Sequence, residues 1–192
     1  RMCRAFGVWK RMLIFALILN LKTRQIDFSN AFAQADLKSP VYMELPADFK
    51  AEGNDCILQL HKSLYGQVEA PKLWYMKLRA GMEDRGFTTC ENQDPCLFVS
   101  KTMISFCYVD DLCYLFRDQK VFDDHIESFI RDGDQYNWEH TIEGDVQAFL
   151  GIDIAKNDVN GSFKFTQRGL IDKILLATNM TDCNGKPTPC SG

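Results

Sequence analysis

Two adjacent aspartates, Asp110 and Asp111, interrupt an otherwise apolar stretch that runs from Ile104 to Phe116. Before them stands ISFCYV and after them LCYLF. Runs of five or six residues this rich in β-branched and aromatic side chains read as buried strands. Two charges cannot stay inside such a run, so they must occupy the tight turn of a hairpin. An antiparallel strand pair is therefore required of any fold this chain adopts. Aspartate is a good turn residue in its own right, and taken alone the pair says no more than that. Like charges at such short range also repel, however, and a divalent cation would relieve the repulsion.

A third acid bears on that choice. Asp27 ends a short strand, Thr23 to Asp27, in the segment RQIDFSNAF, with Ile26 and Phe28 beside it. If this strand lies next to the hairpin, three carboxylates converge at one end of a sheet. Three carboxylates are what two magnesium ions need when they stand roughly 3.5–4 Å apart and catalyse in-line phosphoryl displacement. Spacing leaves the convergence open, since positions 27 and 110 are far apart in the chain.

The remaining pattern is that of a globular α+β chain. Of the 192 residues, 46% are hydrophobic and 25% charged, which argues against disorder. The longest apolar run, Met12 to Leu21, is interrupted by Asn20 and is too short to cross a bilayer, so a buried helix is expected over Val8 to Leu21. A helical turn at Ser29 to Ala35 is followed by strands at Val41 to Glu44 and Cys56 to Leu60. Pro71 opens a helix with Trp74, Leu78 and Met82 at helical spacing and Gly86 as its stop. Strands follow at Cys96 to Val99, Ile104 to Val109 and Leu112 to Phe116. Asp118 caps a helix whose buried stripe is Phe122, Ile126, Phe129 and Ile130. A hairpin joins Phe149–Ile154 to Ser162–Thr166 across a turn at 158–161, and a last helix from Gln167 to Thr178 buries Ile171, Ile174 and Leu175. Mixing of this kind, without βαβ alternation, predicts helices on one face of an antiparallel sheet. The turn-rich tail, residues 183–192, is expected to be a linker.

Eight cysteines form no CxxC pair and the three histidines lie at no ligand spacing, so reduced thiols and no zinc site are expected. The net charge of -4 weighs mildly against nucleic-acid binding. Its distribution is uneven: residues 1–24 carry Arg1, Arg4, Lys10, Arg11, Lys22 and Arg24 with no acid, while 118–158 is strongly acidic. Such polarity would let a basic face meet a phosphate backbone, although ordinary solvated faces explain charge alone equally well.

Several segments, in order, resemble the boxes of copia-type retrotransposon reverse transcriptases. FCYVDD (Phe106–Asp111) resembles the YxDD box, QIDFSNAF (Gln25–Phe32) the QLDVKNAF box, and VYMELPADF (Val41–Phe49) the VYMEQPPGF box. LHKSLYGQVEAPKLWYMKL (Leu60–Leu78) resembles LKKSLYGLKQAPRAWYEKL, and DPCLFV, FLGIDI and DCNGKPTP match as well. The resemblance covers nearly the whole chain. It implies a polymerase palm, an antiparallel sheet backed by helices, with partial fingers over residues 1–182, and a linker at 183–192 toward a missing connection and RNase H region. A chain that opens at Arg1 is then expected to be incomplete at both ends.

The same resemblance implies template-directed addition of deoxynucleotides to a primer 3′ end, on RNA or DNA. Asp27, Asp110 and Asp111 would bind two Mg²⁺, with Mn²⁺ an alternative, and the backbone carbonyl of Phe28 would join them. Phe32 falls where the family keeps an aromatic gate against a ribose 2′-hydroxyl; without the resemblance it reads as core. Tyr65 and Gly66 fall at the nucleotide pocket, and Leu150 and Gly151 at the hairpin that grips the primer terminus. Implied partners are template with primer, deoxynucleoside triphosphates, and flanking integrase and RNase H regions, without a membrane. The implied location is cytoplasmic, within retrotransposon particles. Glu69 stands where the family usually has Gln and Val68 where Lys is common, which weakens affinity for a polyanion. Rival expectations are a decayed fragment that folds or binds nucleic acid without polymerising, a nuclease or phosphatase on the same acids, and a cation-binding module.

Overall fold

The computed structural model describes residues 2–46, 56–90, 94–157 and 159–184, with side chains from residue 7 onward. Helix α1 (Met2–Ile18) leads to β1 (Lys22–Phe28), a 3-10 turn at Ala31–Gln34, and a ribbon of β2 (Asp36–Glu44) and β3 (Ile57–Lys62). Helix α2 (Ala70–Asp84) precedes β4 (Thr88–Cys90), β5 (Asp94–Val99), β6 (Met103–Tyr108) and β7 (Asp111–Phe116). Next come α3 (Gln119–Glu127) and β8 (His140–Gly144), then β9 (Ala148–Phe149), β10 (Ile152–Asn157), β11 (Ser162–Thr166) and α4 (Arg168–Ala177). Two compact units result, Arg1–Asp145 and Val146–Gly192.

The first unit grows from the expected hairpin. Strands β6 and β7 pair antiparallel, with Met103 opposite Phe116 and Tyr108 opposite Asp111. They sit inside a six-stranded antiparallel sheet of order β4-β5-β6-β7-β1-β8. Because side chains alternate across a strand, pairing sorts them onto two faces. One face carries Ile26, Phe28, Cys107, Leu112, Tyr114 and Phe116, packed with Trp74, Leu78 and Met82 of α2 and Phe122 and Ile126 of α3. The other carries Leu97, Ile104 and Leu115, beside Met12 and Phe15 of α1. Helices therefore flank both faces, where one-sided packing was the expectation. The cause lies in β7, buried at every residue from Leu112 to Phe116: a strand with no polar face needs cover on both sides.

Local signals hold where they act through hydrogen bonds. Pro71 lies in the first turn of α2, Gly86 takes φ +81° just past its end, and the Asp118 carboxylate accepts the Lys120 N–H at 2.9 Å to cap α3. Patterns of burial fare less well. Helix α3 stops at Glu127, so Phe129 is buried from the following turn while Ile130 is 66% exposed. In the second unit Phe149 belongs to β9, not to the strand that pairs with β11, because the chain reverses at Leu150 and Gly151. Helix α4 buries no residue, and Ile171 and Ile174 are each 52% exposed. The expected linker lies almost wholly outside the described residues, as do the end of the Val41–Phe49 segment and Asp158. No helix among the described residues is long and apolar enough to cross a membrane.

One buried polar pair in this core is pH-sensitive. The Tyr114 hydroxyl and His125 Nε2 share a 2.9 Å hydrogen bond between the sheet and α3. Burial first, and the nearby Arg85 charge second, push the His125 imidazole down to about 3 from 6.5. The unfolded chain therefore binds a proton that the folded chain refuses between those values, and stability falls as pH drops from 6.5 toward 3. Urea unfolding across that window should show less loss of stability with acid in His125→Gln than in the unsubstituted chain. An unchanged slope in the variant would remove His125 from the acid sensitivity.

Candidate active site

Asp27 near the end of β1 and Asp111 at the start of β7 stand directly opposite in the antiparallel register. They share the face that α1 covers further along, and they lie at its open end. Tyr108 pairs with Asp111, which leaves Val109 and Asp110 as the two-residue turn, one residue earlier than the expected Asp110–Asp111 turn, with Asp111 already a strand residue. Val109 takes φ 59°, and a β-branched residue held in the left-handed region costs on the order of 1–3 kcal/mol. Both carbonyls of the turn are tied. The Phe28 amide donates to the Asp110 carbonyl at 3.0 Å, and the Trp74 indole N–H donates to the Val109 carbonyl at 2.6 Å. Phe28 is anchored in turn, its ring edge-on to Trp74 at 5.1 Å and to Trp138 at 5.6 Å.

The acids strain against one another. Burial first, and the Asp110 charge second, raise the Asp27 carboxyl above its ordinary range. Burial pushes Asp111 up to about 6, with the charges of Asp110, Asp27 and Glu143 adding to it. Opposing this rise, the amide of buried Gln25 donates to Asp111 Oδ1 at 3.2 Å. A hard divalent cation beside these acids would offset both effects, burial and mutual charge. Among the described residues, though, no three His, Cys, Asp or Glu side chains gather closely enough to hold a metal ion.

Phe32 and Tyr65 come together here. Phe32 rides on the 3-10 turn after Asn30, and its ring centroid lies 4.6 Å from that of Tyr65. Ser63 hydroxyl donates to the Phe32 carbonyl, Lys77 Nζ donates to the Gln34 carbonyl, and Gln34 Nε2 donates to the carbonyls of Ser29 and Glu139, so the turn is fixed from three sides. Burial, then the charges of Asp110 and Asp27, raise the Tyr65 hydroxyl, which places that phenol within the field of the acids. Gly66 takes φ +96°, available to glycine at little cost. An apolar cavity of about 240 Å³ lies between Phe32, Pro71, Trp74, Cys107 and Val109. Leu150 and Gly151 belong to the second unit, as the turn linking β9 to β10, at φ 52° and 72°. The residues that sequence reasoning passed over are Gln25 and Trp74. Gln25 carried a signal, since it sits two positions before Asp27 and so on the same strand face; Trp74 carried none beyond helical core spacing.

Residues 5–192 match the family described as reverse transcriptase (RNA-dependent DNA polymerase), and the chain belongs to that family. Its relatives place it among the copia type. It is 28% identical to the retrovirus-related Pol polyprotein from transposon TNT 1-94 of Nicotiana tabacum, over 95% of this chain and 14% of that protein. It is 30% identical to the Pol polyprotein from transposon RE1 of Arabidopsis thaliana, over 86% of this chain and 11% of that protein. A putative transposon Ty5-1 protein of Saccharomyces cerevisiae is 25% identical over 84% of this chain and 54% of its own length.

The Gln25 contact has a measurable consequence. Asp111 holds its proton more tightly folded than unfolded, so its contribution to stability is present below 3.8 and is lost as pH rises through about 6. Gln25→Leu removes the donor that favours the carboxylate, so in EDTA the loss of stability over this range should steepen. Asp111→Asn should abolish that component. Equal pH slopes in Gln25→Leu and the unsubstituted chain would show that the contact does not tune Asp111.

Proposed function

We propose that this chain carries the polymerising site of a reverse transcriptase, adding deoxynucleotides to a primer 3′ end under the direction of an RNA or DNA template. The observation that carries this reading is the register that sets Asp27 against Asp111 beside the Asp110 turn, in a chain of this family. The six-stranded sheet serves as the palm and the β2–β3 ribbon as part of the fingers. In the reaction the primer 3′-oxygen bonds to the α-phosphorus of the nucleotide, its proton leaves, and pyrophosphate departs.

Asp27, Asp110 and Asp111, with the Phe28 carbonyl, are the groups that would hold two Mg²⁺ or Mn²⁺. Bound there, the ions supply charge neutralisation for phosphoryl transfer and acidify the attacking hydroxyl. The protein's own part is to set partly buried carboxylates on paired strands beside one turn, where they would gain more from a cation than solvated acids would. Phe32, braced by Tyr65, presents a ring edge to the sugar and rejects a 2′-hydroxyl by contact. Tyr65 and Gly66 line the nucleotide pocket, and Leu150 and Gly151 hold the primer terminus. Template–primer, deoxynucleoside triphosphates, and the integrase and RNase H regions of a polyprotein are the partners this function requires.

Primer extension by the polymerase that contains this chain tests the acids. Asp27→Asn or Asp110→Asn should each lower the rate on the order of a thousandfold, and the double variant should lose little more, because either change dismantles one site. Near-normal extension by either variant refutes the assignment of these acids. An unsubstituted polymerase that binds template–primer and never extends it points instead to a decayed element. The gate has its own assay. Phe32→Ala should raise ribonucleotide relative to deoxynucleotide incorporation by a factor of about 10–100, since a packed ring no longer opposes the hydroxyl. An unchanged ratio would return Phe32 to the core.

A further inference from the structure

The acidic turn sits in a conformation that its own sequence disfavours. Val109, a β-branched residue, is at φ 59°, with Asp110 immediately after it. Tyr108 and Asp111 close the turn on one side and the Phe28 amide fixes the Asp110 carbonyl. The remaining turn carbonyl, that of Val109, accepts the Trp74 indole N–H at 2.6 Å. The Cys107 thiol also reaches that oxygen at 3.6 Å, a weak donor at long range. Trp74 is 1% exposed and comes from α2, on the far side of the sheet from Asp27 and Asp111. A helix that shares no strand pairing with the hairpin thus reaches through to its strained residue.

We propose that Trp74 is a positioning residue for the acids: its indole N–H holds Val109 in the left-handed conformation and thereby fixes where Asp110 points. It rests on the polymerase function proposed above only for its kinetic consequence. The physical ground is that a residue persists in a disfavoured backbone region only when its surroundings over-determine it. A short hydrogen bond from a buried ring is such a constraint, and the Trp74 ring adds rigidity through its edge-on contact with Phe28 at 5.1 Å. A small displacement of the turn is costly, because misplacement by about 1 Å lowers rates by roughly a hundredfold.

The clamp is needed only while residue 109 resists the left-handed region, and glycine does not. Trp74→Phe keeps an aromatic ring and removes the donor. In the polymerase containing this chain, Trp74→Phe should slow single-turnover extension by about 20–100-fold at saturating nucleotide, with the nucleotide KM within about threefold. Introduced instead into the Val109→Gly background, it should cost less than about threefold relative to that background, a non-additivity expected of directly coupled residues. Amide hydrogen exchange over residues 108–112 supplies a readout free of catalysis. Trp74→Phe should speed that exchange by about tenfold or more in the Val109 background and leave it nearly unchanged in the Val109→Gly background. Losses of equal size in both backgrounds, in rate and exchange alike, overturn the proposal and make Trp74 ordinary core. Collapse of the fold by Trp74→Phe in both backgrounds overturns it too, whereas collapse rescued by Val109→Gly supports it. If Asp110→Asn extends primers normally, the polymerase function fails, and the exchange cycle still decides whether the clamp exists.

Discussion

The pairing of β1 with β7 is the constraint on which the rest of this structure depends. Asp27 opposes Asp111 and Ile26 opposes Leu112, so one strand face gathers acids and the other enters the core. A slip of one residue would drive Asp27 into the aromatic cluster and Phe28 out of it. Burying an unpaired carboxylate and exposing a ring that is 1% accessible are both unfavourable by several kcal/mol in order of magnitude, so the core itself enforces the register of the site. The packing of the core and the placement of the acids are coupled here through the alternation of a single strand.

That register is supported from outside the sheet by a cage around one cation. Arg85, just past α2, lies over the rings of Phe129, Tyr136 and Trp138 at 4.8–5.6 Å. It also donates to the Ser128 carbonyl and to Asp134, each at 2.7 or 2.8 Å. The cage folds the segment between α3 and β8 back onto α2 and presses Trp138 so close to Gly81 that a methyl group there would collide with the indole. β8 can then pair along β1, with Thr141 beside Asp27 and His140 beside Phe28. A charged side chain with only 10% of its surface exposed is tolerable because each of its nitrogens finds an acceptor and three aromatic rings lie within 5.6 Å.

The parts of the fold legible in the sequence are those governed by local chemistry. The β6–β7 hairpin (though not its exact turn, which is Val109–Asp110), Pro71 at the start of α2, Gly86 at its end and the Asp118 cap are short-range decisions, made by residues within a few positions of one another. β8, with the sequence HTIEG, has no apolar alternation to announce it; it becomes a strand because β1 offers it an edge. Exposure of Ile171 and Ile174 on α4 shows the converse, a helical stripe whose period is clear and whose burial is not a local property. At the site, Asp27, Asp110, Asp111, Phe32 and Tyr65 were singled out through family boxes, though not the contact between the Phe32 and Tyr65 rings. Gln25 and Trp74 were not, since a glutamine in a strand and a tryptophan at helical spacing each have a sufficient structural reason to be there.

What distinguishes this hairpin from an ordinary turn is that its discomfort is concentrated and of two kinds. Val109 is conformationally strained, and burial with mutual charge raises the Asp27 and Asp111 carboxyls, all beside the Asp110 turn. Neither strain would persist in a flexible loop, where the backbone would relax and the acids would separate. Here the backbone is tied at both turn carbonyls, and the strands on either side are locked by pairing. Burial, the larger cause, and mutual charge both disfavour ionisation there, and a proton or a positive charge at that spot would offset them. In the function proposed above, a rigid scaffold around these acids would favour a cation and fix its position together. In-line phosphoryl transfer requires both at once, because charge neutralisation without alignment leaves the attacking oxygen and the leaving group out of line.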